Sequence, residues 1–290
     1  MDRARILSRV KQLQLLSNRL VESLLAGNYR SVFKGPGIEF DEVREYVEGD
    51  DARLIDWNVS ARMASAFSKT YREERELTLF MIADLSGSLN VGARHESRRE
   101  VQSVLFSLLT FAAVQNNDKV GAVFFTDRIE HWVPPVKGRK HATRLVEDMI
   151  AFEPQGAGSD LSLALRAAGE ALKRRGICVV LSDFKTTGYL RELSLLARRH
   201  DVIAVRIYDP MDLEYPRTGL VQLEDPETGR TMLATGRSRK FRKQYREYWE
   251  VQRLQWQRDC RRRGIATLEV STEDDPVARL IEFFRRRKSR

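Results

Sequence analysis

Residues 77–89, LTLFMIADLSGSL, are apolar for seven positions save one threonine and then turn polar at Asp84. A stretch that is apolar at consecutive rather than alternate positions reads as a strand covered on both faces, as in the centre of a parallel sheet. Similar runs follow at VGAVFFT (120–126), ICVVLSD (177–183), DVIAVRIYD (201–209) and, more weakly, IATLEVS (265–271). Between the first two lies SRREVQSVLFSLLTFAAVQNN (97–117), which opens on a Ser97/Glu100 capping box and carries apolar residues at helical spacing. Segments 139–151, 160–174 and 189–200 also read as helices. Strand and helix in alternation predict an α/β fold, an open and mainly parallel sheet with helices on both faces.

Two insertions interrupt that rhythm. IEHWVPP (129–135) reads as an edge strand, because adjacent prolines remove the donors a central strand needs. Residues 218–236 read as an inserted hairpin with DPETG at its turn. A basic, helix-forming stretch covers 237–263, where arginine and lysine interleave with Phe241, Tyr245, Tyr248, Trp249 and Trp256. Upstream of residue 77, positions 3–26 form an amphipathic helix pattern with Ile6, Val10, Leu13, Leu16, Leu20 and Leu24 on one face. Residues 35–63 are dense in turns and charge and too poor in apolar residues for a core of their own. The expected organisation is therefore a segment over 1–76 packed onto a main domain over 77–290.

In an open α/β sheet, ligands bind outside the carboxyl ends of the strands. Asp84, Ser86 and Ser88 follow one strand, Asp183 closes another, and Ser159 stands in the small-residue loop GAGSDLSLAL (156–165). These loops can bring two carboxylates and three hydroxyls to one place. With neither imidazole nor thiolate, the set suits a hard cation such as Mg²⁺ or Mn²⁺, weakly bound because neutral hydroxyls compensate little charge. Each residue also has an ordinary structural role, with Asp and Ser common in turns and Ser159 placed to cap a helix.

The motifs DLSGS (84–88), GAGSDL (156–161) and LSD (181–183) resemble a von Willebrand factor A domain, a fold that carries a metal-ion-dependent adhesion site. The resemblance implies that Asp84, Ser86 and Ser88 supply its Asp-x-Ser-x-Ser ligands, that Ser159 stands for the family's usual Thr, and that Asp183 is its later Asp. Phe184 stands where many members have Gly. The string GPGIEFDEVREYVEGDDARLIDWNVSARM (35–63), followed by YREERELTLFMIADLSGS (71–88), narrows the likeness to the "domain of unknown function 58" family. Within it Arg44, Asp50, Asp56, Trp57 and Arg62 are expected to form a buried salt-bridge and packing network. The resemblance further implies an adaptor that assists AAA+ ATPases of the MoxR type, meeting that partner or a client protein through an acidic residue placed on the metal.

Other classes fare less well. No P-loop is present, and the histidines (His95, His131, His141, His200) sit in no catalytic motif. A Mg²⁺-dependent phosphatase using Asp84 would want a second Asp two residues on, where Ser86 stands. An excess of Lys+Arg (50) over Asp+Glu (41) favours acidic partners. It leaves open a nucleic-acid reading of 237–263, in which basic residues neutralise phosphate and aromatics stack on bases; an amphipathic helix with its aromatics turned to the sheet is the preferred account. With no signal-peptide pattern and no apolar run long enough to span a bilayer, a cytoplasmic location is expected. The two cysteines, Cys178 and Cys260, agree with that compartment as unpaired core residues.

Overall fold

The computed structural model describes residues 3–25, 39–48, 50–63, 65–72, 77–90, 97–215, 217, 219–224 and 231–288. The chain forms two compact units, one of residues 1–33 with 77–290 and one of residues 34–76.

The larger unit is built on a six-stranded sheet of β3 (Thr78–Asp84), β4 (Lys119–Phe125), β5 (Ile129–Val136), β6 (Ile177–Ser182), β7 (Asp201–Tyr208) and β10 (Ala266–Ser271). Across the sheet the order is β10-β7-β6-β3-β4-β5. All pairs are parallel except β4 with β5, so IEHWVPP does lie at an edge. The order is that of a doubly wound sheet, with its switch point between β3 and β6. Gly121, inside β4, lets β5 lie close alongside where the register shifts, since a Cβ there would lie 2.7 Å from the Pro135 nitrogen. The open, mainly parallel α/β architecture anticipated from the strand pattern is the one observed, and it agrees with the von Willebrand A-like fold that the motif resemblance implies.

Strand β3 shows why a continuous apolar run was required. Leu79, Met81 and Ala83 enter the core on one face, while Phe80 and Ile82 enter the core on the other. The first face is covered by helices α1 (Arg3–Leu25), α3 (Arg98–Gln115), α4 (Arg139–Ala151) and α9 (Pro276–Lys288). The second is covered by α5 (Leu161–Ala171), α6 (Leu190–Arg199) and one side of α8 (Arg239–Arg262). The capping box of α3 is formed on both sides, Ser97 accepting from the Glu100 amide and Glu100 from the Ser97 amide. Strands β8 (Leu220–Glu224) and β9 (Thr231–Thr235) pair as the expected antiparallel hairpin, and its DPETG turn lies outside the described residues. Cys178 and Cys260 are both unpaired and buried.

Helix α1 belongs to the α/β unit, with Val10 and Leu13 buried and Ile6 and Leu16 packed beside them. The side chains of Leu20 and Leu24 lie outside the described residues. Leu13→Ala should therefore cost about 2–3 kcal/mol, the usual penalty for a cavity in a packed core, read as a fall in the urea midpoint at unchanged slope. A loss below about 0.5 kcal/mol, the size of an ordinary surface change, would mean that α1 contributes little to the core.

The smaller unit pairs β1 (Glu39–Glu45) with β2 (Phe67–Arg72) and carries α2 (Trp57–Met63) between them. Among the described residues, the expected network of Arg44, Asp50, Asp56, Trp57 and Arg62 is not a buried one, Arg62 too being exposed. Arg44 and Asp50 do pair at 2.7 Å, but with the Arg44 side chain 43% exposed, and Trp57 is 72% exposed. Asp56 accepts from the Asn58 and Val59 amides at the start of α2 and pairs with Lys69 at 3.2 Å. These residues shape a local turn and helix start, for which charged side chains need no apolar surroundings.

Candidate metal centre

Asp84 is the last residue of β3, and the chain beyond it turns sharply because Asp84 Oδ1 accepts from the Ser86 amide at 2.9 Å. A 3-10 turn over Gly87–Asn90 then brings Ser88 back, so that the Ser86 and Ser88 hydroxyls lie 3.2 Å apart. The alternate spacing of the serines thus places both hydroxyls side by side.

The other loops are tied to this turn by backbone bonds. The Leu85 amide donates to Phe125 O, the Gly87 amide to Ala157 O and the Asp160 amide to Thr126 O, each at 2.7–2.8 Å. Gly156 lies so close to Thr126 and Asp127 that a Cβ would come within 2.2 Å of each. That approach seats the 156–160 loop. The N-cap of α5 is Asp160, which leaves the neighbouring Ser159 hydroxyl free to donate to Asp84 Oδ2 at 3.1 Å.

Asp183 follows β6 at the same edge of the sheet. Its Oδ1 accepts from the Lys185 amide at 3.2 Å, whereas its Oδ2 is buried with no hydrogen-bond partner. Lys185 Nζ stands 4.0 Å from that oxygen, an ion-pair distance but too long for a hydrogen bond. Asp84, Ser86, Ser88, Ser159 and Asp183 therefore converge on one place. Asp84, Ser86, Ser88 and Asp183 are buried there, and Ser159 is half-buried.

The electrostatics follow from that burial. Asp84 is 1% exposed, and burial together with the nearby Asp183 charge pushes its carboxyl up to about 6, against the pull of bonds from Ser86 and Ser182. Two neighbouring carboxylates in a low-dielectric pocket, one with an orphaned oxygen, favour a bound proton or a positive charge close by. The donor set is all oxygen, and it fits a hard divalent cation. Among the described residues no three His, Cys, Asp or Glu side chains gather into a metal cluster, so two carboxylates set the negative charge of this site.

Several participants are not evident from the motifs. Ser182 donates to Asp84 Oδ2 at 2.7 Å and accepts from the Phe184 amide at 3.0 Å. Its signal was a hydroxyl closing an otherwise apolar strand, where a polar group needs a partner. Gln102 Nε2 donates to Asp84 O at 2.7 Å and to Leu181 O at 3.1 Å, bracing the ends of β3 and β6. Arg98 donates to Ser88 O at 2.7 Å and grips Asp212, on the short helix α7 (Pro210–Leu213), through Nη2 at 2.6 and 2.7 Å. Lys185 Nζ reaches the same Asp212 at 2.8 Å. Burial would raise the Asp212 carboxyl, but the charges of Lys185 and Arg98 outweigh it and hold the carboxyl below the ordinary carboxylate range.

The fold and this cluster of oxygens define a von Willebrand A-like α/β protein with a candidate cation site at the carboxyl edge of its sheet. The family described as "Protein of unknown function DUF58" matches residues 42–255, and the chain belongs to that family. An uncharacterised protein of Mycobacterium tuberculosis strain H37Rv is 28% identical over 290 residues, covering 99% of this chain and 91% of that protein. One from Mycobacterium avium is 31% identical over 158 residues, covering 53% of this chain and 93% of that protein. Among solved structures, the conserved hypothetical protein BatB from Bacteroides thetaiotaomicron matches at 15% identity and a TM-score of 0.49, covering 74% of this chain and 100% of its own. The SpRpn10 VWA domain matches at 10% identity and a TM-score of 0.42, covering 71% of this chain and 94% of its own.

Proposed function

We propose that this protein is a non-enzymatic interaction module that takes hold of a partner through a divalent cation, Mg²⁺ or Mn²⁺. The observation that carries the reading is the buried pair Asp84 and Asp183, ringed by serine hydroxyls and left with an unpartnered carboxylate oxygen. Asp84, Ser86, Ser88, Ser159 and Asp183 would hold the ion, directly or through its waters. The bound cation supplies a Lewis-acidic position that attracts an anionic oxygen from outside. The chain's own residues orient the hydroxyls, exclude solvent from Asp84 and fix the loops. Arg98 does so by holding Ser88 O. Binding of metal alone should be weak, because hydroxyls compensate little charge.

By the family likeness, the partner is an AAA+ ATPase of the MoxR type or a client protein that presents an Asp or Glu, and the location is the cytoplasm. No helix among the described residues is long and apolar enough to cross a membrane. Calorimetry with Mn²⁺ tests the site: wild type should bind and Asp84→Ala should not. Equal heats from both would leave DLSGS as a capping turn.

The site offers little for catalysis. Asp84, the one carboxylate placed like a phosphatase nucleophile, is buried and bonded through both oxygens. Incubation with p-nitrophenyl phosphate, ATP or p-nitrophenyl acetate and Mg²⁺ should give no turnover above background. Turnover that disappears in Asp84→Ala would reinstate a phosphatase. Nucleic-acid binding through α8 is disfavoured because Phe241, Tyr245 and Trp249 pack against one another, Tyr215 and Lys185, and Trp256 is in the core. Of its five aromatics, Tyr248 is the one left well exposed, at 58%.

A further inference from the structure

The ammonium of Lys185 stands between two carboxylates. Its Nζ donates to Asp212 Oδ1 at 2.8 Å and lies 4.0 Å from Asp183 Oδ2. The Trp249 ring centre, on helix α8, is 5.5 Å away. The Lys185 amide meanwhile donates to Asp183 Oδ1 at 3.2 Å. Backbone and side chain of one residue thus address the two oxygens of one carboxylate.

Charge is shared unevenly around this lysine. Asp212 has two cations. Arg98 grips both of its oxygens, with Nη2 at 2.6 and 2.7 Å and Nε at 3.2 Å, and the Asp209 amide adds a bond at 2.9 Å. Lys185 is therefore a second positive charge on a carboxylate that the first already matches. Asp183 is in the opposite position. Its Oδ2 is buried without a hydrogen-bond partner, and Asp84 acts on it as a like charge. Arg99, the cation that acts on Asp84, is bonded to Phe152 O at 2.9 Å. The surplus positive charge on Asp212 is what faces Asp183. Moving Nζ by about 1.2 Å would bring it to the length of a charge-assisted hydrogen bond. An ammonium on a flexible four-carbon stem, with its side chain 26% exposed, has the freedom to make that movement.

We propose that Lys185 is the built-in counter-ion of Asp183 in the metal-free protein, and that it sets the affinity of the site because it must withdraw onto Asp212 when a divalent ion arrives. The proposal rests on the metal-dependent reading above and adds a residue that opposes binding. Neutral hydroxyls are one cause of weak affinity; a resident ammonium, repelled by the incoming charge, is a second. Arg98 makes the withdrawal possible in one direction only, since it holds Asp212 in place as the acceptor.

The test compares the full-length wild type with Lys185→Met and Lys185→Arg, by calorimetry with Mn²⁺ at pH 7.5 and by melting in EDTA. Methionine keeps the stem and makes a favourable sulfur contact with the Trp249 ring. Lys185→Met should bind Mn²⁺ about tenfold tighter than wild type, since one close like charge is gone. In EDTA the same variant should melt about 2–4 °C lower, having lost the counter-ion. Lys185→Arg keeps the charge and should bind no tighter than wild type. Should the methionine variant fail to fold, Lys185→Gln, which keeps a donor for Asp212, takes its place in the comparison. Binding that appears in Lys185→Met alone supports the proposal in its strongest form. Equal or weaker binding by Lys185→Met, or a gain shared by Lys185→Arg, overturns the counter-ion role, and a wild-type heat in the same titration leaves the metal reading standing. Absence of Mn²⁺ binding in all of the proteins strikes the metal reading itself and the proposal with it.

Discussion

Asp84→Asn should make the metal-free protein more stable at pH 7.5 while abolishing its response to Mg²⁺. The Asp84 carboxyl is raised from an ordinary 3.8 to about 6 in the folded chain, by burial first and by the Asp183 charge second. A raised folded value means that the native state binds the proton more tightly than the unfolded chain does. The stabilisation is present in full below 3.8 and is lost as pH rises through about 6. Above that, wild type carries an unneutralised buried carboxylate worth about 3 kcal/mol. Asparagine keeps the shape and an oxygen for the Ser86 amide, and its amide can face the Ser159 and Ser182 hydroxyls. The melting temperature of the α/β unit should rise by about 5–10 °C at pH 7.5, and the difference should vanish by pH 4. Mg²⁺ should stabilise wild type by mass action and leave the variant unmoved. Identical melting curves for the two proteins at pH 7.5, with and without Mg²⁺, would show that Asp84 neither bears a charge penalty nor holds metal.

The same residues show what a linear sequence can and cannot disclose. Strand β3 was legible because burial on two faces demands apolar residues at successive positions, and the two faces enter different cores. The edge strand was legible through its prolines. The convergence of Asp84, Ser86, Ser88, Ser159 and Asp183 was legible because a parallel sheet delivers all its strand ends to one edge. Trp57 was misjudged. An aromatic among charges suggested packing, yet the small unit satisfies its charges with local turns and leaves that ring 72% exposed. The Arg98–Asp212 pair was invisible for a different reason. Its members are 114 positions apart, and each stands among other charged residues that give no sign of which will be buried. A pair is chosen by three-dimensional proximity, which pattern alone does not encode.

That pair gives the largest expected loss. Arg98 and Asp212 have side chains only 4% and 8% exposed, and removing one partner of such a pair strands the other in a low dielectric. Arg98→Met should therefore cost about 3 kcal/mol, at the lower end of the usual range because Lys185 remains on Asp212. The pH dependence has the opposite sign to that of Asp84. Burial would raise the Asp212 carboxyl, but Lys185 and Arg98 outweigh it and lower it, so its contribution is present above about 3.8 and is lost as pH falls through the lowered value. The gap between wild type and Arg98→Met should be widest near neutrality and narrow below pH 4. A second variant separates stability from positioning. Arg98→Met with Asp212→Leu replaces the pair by apolar side chains and should regain most of the stability, since buried ion pairs are often replaceable at little cost. It does not restore the bond from Arg98 to Ser88 O, so the Asp84–Ser88 loop should remain loosened and Mn²⁺ binding weakened by about tenfold, the worth of one lost charge-assisted hydrogen bond. Urea denaturation and Mn²⁺ calorimetry on the two variants decide the matter. Full metal affinity in the double variant would reduce Arg98 to a structural residue, whereas stability regained without metal binding identifies it as the residue that holds the serine loop in place.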